Sequence, residues 1–107
     1  MDCVYLDSTP DWNLTDADAE STAGDVMLGL ALEAGTATNP MNVLLQGFAR
    51  DDTWAWTIGG AVYLDTTTAG GLTQTAPSGT GDVVRIVGYA ISADAIYFNP
   101  DNTFITV

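Results

Sequence analysis

Val4-Tyr5-Leu6-Asp7 returns as Val62-Tyr63-Leu64-Asp65, 58 positions later, and the landmarks behind each copy follow in the same order. Leu14-Thr15 matches Leu72-Thr73 at that offset, and Ser21, Gly24, Asp25 and Val26 match Ser78, Gly81, Asp82 and Val83 one residue out of step. Leu28-Gly29-Leu30-Ala31-Leu32 then aligns with Val87-Gly88-Tyr89-Ala90-Ile91, and FARDDTWAWT (Phe48 to Thr57) aligns without gaps on FNPDNTFITV (Phe98 to Val107). Ordered matches of this kind predict one unit used twice, over residues 1–57 and 58–107. The first strand begins abruptly behind Met1, which reads either as a short N-terminus or as the edge of a piece of a longer protein.

The unit is predicted to be all-β. Val4 to Leu6, Val43 to Leu45, Trp54 to Trp56, Ala61 to Leu64, Val83 to Ile91, Ala95 to Phe98 and Phe104 to Val107 are short runs rich in β-branched and aromatic residues. Clusters of Gly, Pro, Asn, Asp or Thr bound them. Asp16 to Glu20 has helical flavour, but its mate, Gln74 to Pro77, cannot continue a helix, so both read as loops. With 107 residues the two repeats must share one core, as a small barrel or sandwich forming one compact domain. Gly29 and Gly88, each inside an apolar run, are predicted to mark a bulge or a close backbone approach.

Composition removes whole classes of function. Fourteen Asp and Glu against two Arg leave a net charge of -12, which repels nucleic acid and anionic membrane surfaces. Solubility accounts for such acidity, with calcium capture or docking on a basic surface as rivals. Without histidine or lysine, and with the single Cys3, no familiar nucleophile-and-base arrangement can be built, and the expectation is a protein that is not an enzyme and carries no cofactor. Carboxylate-only glycosidase chemistry needs one acid kept protonated in an apolar pocket, whereas these carboxylates lie among turn residues.

Two residue sets remain as candidate sites. Asp11, Asn13, Asp16 and Asp18 space oxygen donors along one loop, as a calcium site requires, although the sharp-turn glycine and the closing Glu of an EF-hand are missing. The second repeat has no carboxylate in the matching loop. Among the aromatics, Trp54 and its mate Phe104 read as core anchors. Trp56 and Trp12 are candidates for a subunit interface or for stacking on a ligand.

The run from Trp54 to Pro100, with Gly29-Leu30-Ala31-Leu32 and the segment from Leu44 to Trp54, resembles a β-rich repeat of structural proteins of tailed bacteriophages, of the tail-fibre-like, tail or capsid-decoration kind. The resemblance covers most of the chain and is poorest at Asp11 to Glu20. It implies a virion component at the particle surface, working as a homo-oligomer, commonly a homotrimer, beside other virion proteins. The alternative is a module that binds carbohydrate or a host receptor, for instance a host-surface glycan. A calcium-dependent adhesion module ranks below both.

Overall fold

Short β-prone runs separated by turn residues build the computed structural model, which describes residues 1–9, 11–32 and 42–107. In the first half these runs become β1 (Cys3–Leu6), β2 (Trp12–Leu14), β3 (Leu28–Ala31), β4 (Val43–Leu44) and β5 (Gly47–Arg50). In the second they become β6 (Ala61–Leu64), β7 (Leu72–Thr73), β8 (Val83–Val84), β9 (Ile86–Ser92), β10 (Ala95–Phe98) and β11 (Ile105–Thr106). A single helical turn, α1 (Glu20–Ala23), completes the elements of the described residues.

All pairings are antiparallel and form three sheets, in the orders β2-β1-β3-β4, β5-β10-β9-β6-β7 and β11-β8. None of these orders returns on itself among the described residues, so the sheets are open. The domain is all-β, and its Cα radius of gyration, 12.8 Å, is that of one globule of this length.

The first two sheets repeat a pattern of neighbours. β1 lies between β2 and β3 as β6 lies between β7 and β9, and Val4 faces Gly29 as Val62 faces Gly88. The strand after each VYL run turns on the same device. Asp7 accepts hydrogen bonds from the backbone N–H (2.8 Å) and hydroxyl of Thr9, and Asp65 accepts both from Thr67 at 2.9 Å. This is how Asp mimics a backbone turn with its own side chain.

Two expectations about elements are corrected. Trp54 to Trp56 is not a strand: Trp54 N–H bonds back to the carbonyl of Asp51 (3.0 Å) in a turn, and Trp56 N–H is taken by Ala93 (2.8 Å). Val83 to Ile91 is not one strand but two, belonging to different sheets, because Arg85 between them turns its side chain into the interior. Asp16 to Ala19 is loop as expected, and the helical turn α1 takes up only Glu20 of that stretch, running on to Ala23. Sheet membership changes between Leu44 and Gly47, since β5 pairs along its whole length with β10.

One core serves both halves. Cys3, Leu28 and Leu30 pack with Val62, Leu64, Val87, Ile96 and Phe98 in a single cluster. Each large aliphatic or aromatic side chain buried there contributes about 1.5–3 kcal/mol. Cys3 is fully buried, and desolvation pushes its thiol up to about 12, so it is an inert core residue. A β-bulge shapes the larger sheet: Val62 faces Gly88 but Tyr63 faces Ile86, leaving Val87 as the extra residue on β9. The bulge lets Val87 and Gly88 both lie buried and restores the alternation beyond them.

Candidate functional site

Period-two alternation decides what the five-stranded sheet shows to solvent. Ala49, Ala90, Ile96 and Phe98 point into the core, so their neighbours Phe48, Tyr89 and Tyr97 stand on the opposite face. Register then lines these up: Phe48 faces Tyr97, which faces Tyr89, which faces Ala61. Phe48 is 72% exposed and Tyr89 49%, and the Phe48 and Tyr97 rings meet at 5.2 Å between centroids. Gln46 donates to the Tyr97 hydroxyl at 2.7 Å, tying the middle of the row.

A charged border follows two residue pairs along. Arg50, opposite Ala95, bonds through Nε to Asp94 (3.1 Å) and through Nη2 to Asp94 (3.0 Å) and Asp52 (3.1 Å). The Ser92 hydroxyl and then Arg50 hold the Asp94 carboxyl below its ordinary value. β5 is also the edge of its sheet, so its outward backbone groups lie beside the aromatic row.

Trp56 and Trp12 sit elsewhere. Trp56 is half-buried against the core, its ring 5.5 Å from that of Trp54, and its indole Nε1 is buried with no hydrogen-bond partner. Trp12 is half-buried too, lying over Gly29 so closely that a Cβ there would come within 3.4 Å of the indole. Phe104 packs beside the core as its mate Trp54 does.

The four loop donors separate into two places. Asp11 and Asn13 belong to the β1–β2 hairpin, where Asp7 accepts from Asp11 N–H (2.7 Å) and from the Asn13 amide (2.6 Å). These bonds, the Thr9 hydroxyl first, hold the Asp7 carboxyl far below the usual carboxylate range. Asp16 accepts from Asp18 N–H at 3.2 Å just before α1. Partial desolvation and then the charges of Asp16 and Asp82 push Asp18 up. No group of three Asp, Glu, Cys or His side chains comes together as a metal centre would need, among the described residues.

The most unusual side chain is Arg85, only 3% exposed and without an ion-paired carboxylate among the described residues. Its Nη1 donates to the carbonyls of Gly24 (2.6 Å), Val26 (2.9 Å) and Ala23 (3.3 Å), and its Nε to that of Asp101 (2.6 Å). Two of these acceptors are the carbonyls that end α1, which has no side-chain cap at its other end. A guanidinium thus satisfies groups that a one-turn helix leaves open. Burial lowers its affinity for the proton, yet a guanidinium remains a cation. Beside it runs a groove of about 520 Å³ lined by Asp25, Gln46, Asn99 and Asn102 and walled by Met27 and Leu45.

The chain matches no family model, no curated protein and no solved structure. Neither the aromatic row nor Arg85 was a candidate on sequence grounds. The row had a readable signal, since Tyr89 and Ile91 alternate with Ala90 and Phe48 with Ala49. Arg85 had none, because nothing local marks an arginine that turns inward.

Proposed function

We propose that the chain is a non-enzymatic structural module built from two copies of one unit, which associates with further copies of itself at a virion surface. The observation that carries the assembly is the row Phe48, Tyr97, Tyr89 on the solvent face of the larger sheet, ending at β5, which has no second neighbour among the described residues. Aromatic side chains aligned beside an open edge are what a second sheet edge or face covers best, by apolar burial and by strand pairing. Charge supports self-association over nucleic-acid or membrane partners, since -12 is repelled by both and screening by salt removes most of the mutual repulsion of copies. The paired neighbours of β1 and β6, with Val4–Gly29 and Val62–Gly88 in the same relation, support the duplication. The tailed-phage resemblance supplies the setting.

Light scattering on the eluting peak of a size-exclusion column tests the assembly. The parent is expected to elute as a homo-oligomer at physiological salt, and the double variant Phe48→Ser, Tyr89→Ser as a monomer with unchanged circular dichroism. A monomeric parent overturns the reading. The setting is checked by an antibody to the chain, which should label the outside of intact particles of the phage that encodes it.

Glycan binding is a second reading, favoured by Phe48 and Tyr89 lying next to Arg50 and Asp94, an aromatic platform with polar groups at its rim. If the double variant stays assembled and loses a glycan ligand, this reading replaces the first.

A further inference from the structure

We infer that the groove beside Arg85, which adjoins the aromatic row at Gln46, is a binding site for a neutral saccharide of about one or two rings. Nε and Nη1 of Arg85 are spent on four backbone carbonyls, but Nη2 has no acceptor among the described residues, and Arg85 lines the groove. Among the described residues the only fully buried side-chain nitrogen or oxygen without a partner is Trp56 Nε1, so Nη2 keeps some exposure, and the groove is the space that Arg85 lines. Two N–H donors on a side chain 97% withdrawn from solvent are therefore held in place for a ligand acceptor, with no rotamer freedom left to lose on binding.

The charges around the groove select the ligand class. The guanidinium at the floor offsets Asp25 on the lining and Asp101 beside it, which leaves a cation little net attraction there, while the net charge of -12 repels anions. What fits is an uncharged molecule carrying many groups that both donate and accept. Gln46, Asn99 and Asn102 carry carboxamides of that same dual character, Asp25 accepts only and Arg85 donates only, which together match a ring of hydroxyls. Met27 and Leu45 supply the apolar wall that a sugar's C–H face needs, and about 520 Å³ is within the range of small-molecule sites.

The chain has two arginines, so nitrogen-15 spectra contain two guanidinium Nε–H signals, and that of Arg85 is protected by its bond to Asp101. The probes are lactose, cellobiose, maltotriose and chitobiose, with glucuronate and spermidine as charged controls, each added up to about 50 mM, well above the millimolar affinities of weak sites. Saturable movement of the Arg85 signal and the Asn99 and Asn102 side-chain amides by at least one neutral sugar, with Arg50 unmoved, is the expected result. Asn102→Leu, at a side chain with no hydrogen bond among the described residues, should weaken that response at least about tenfold without altering the rest of the spectrum. The monomeric Phe48→Ser, Tyr89→Ser variant should keep it in full, which separates this site from the assembly face. Stationary Arg85 and amide signals with all four sugars, or a stronger response to glucuronate or spermidine, would overturn the inference.

Discussion

Gly88 lies directly against the main chain of Tyr97: a Cβ on Gly88 would overlap the Tyr97 carbonyl oxygen and stand 3.3 Å from the Cα of Phe98. Its φ is not in the left-handed region, so the reason for glycine is space, not backbone conformation. Gly29 has a similar overlap, but with a methyl of the Val43 side chain, which can rotate away. Gly88→Ala is therefore expected to destabilise by roughly 1–3 kcal/mol, and Gly29→Ala by less. Urea melts of the two variants check the order.

Arg85 is expected to be the most sensitive charged residue. Arg85→Met removes the donor of the Gly24, Val26 and Asp101 carbonyls and should lower stability by about 2–4 kcal/mol. The urea midpoint should fall at constant slope, and Arg85→Lys, which keeps the charge but not the fork, should recover only part of the loss.

The two tryptophans of the Trp54–Trp56 pair should respond differently to loss of the indole nitrogen. Trp56 Nε1 is buried without a partner, whereas that of Trp54 is not among such atoms. Trp56→Phe removes an unsatisfied donor together with some packing, so it should cost less than Trp54→Phe, by about 1 kcal/mol. If Trp56→Phe instead shifts the chain toward monomer, Nε1 finds its acceptor on another subunit.

Acid should act through the hairpin carboxylates. Asp7, Asp51 and Asp94 are all held below the ordinary value of 3.8, so the stability they contribute is complete above that value and is lost as pH falls through their depressed folded values. Asp18, raised in the fold, works in the opposite sense and is relieved by protonation. Asp7→Asn, which keeps an acceptor oxygen without the charge, should melt below the parent at neutral pH, and the gap should narrow progressively as pH falls below 3.8 toward the depressed folded value. Calorimetry across that range reads it.

Assembly should strengthen with salt. With -12 on every copy, low ionic strength opposes contact, and raising sodium chloride from about 0.02 to 0.2 M should move the association midpoint to lower protein concentration. A shift to higher concentration would mean that Arg50 pairing with carboxylates of a neighbouring copy, not the Phe48 row, holds the subunits together.

The all-β class, the existence of β1, β6, β9 and β10, and the crowding at Gly29 and Gly88 were legible from local pattern alone. β-branched and aromatic runs, punctuated by Asp-x-Thr turns, specify strands within a few residues of themselves. Other features depended on partners far along the chain. Trp54 to Trp56 has strand-like residues but leaves the sheets, because the turn at Asp51 and the carbonyl of Ala93 claim its N–H groups. Arg85 interrupts a run of valines and isoleucines, and only the fold brings it carbonyls from about 60 residues earlier in sequence and from Asp101. Phe48 and Phe98 are aligned mates in sequence, yet one is exposed and the other fully buried. Strand register assigns each to a face, and register is a property of paired strands, which one segment read by itself does not contain.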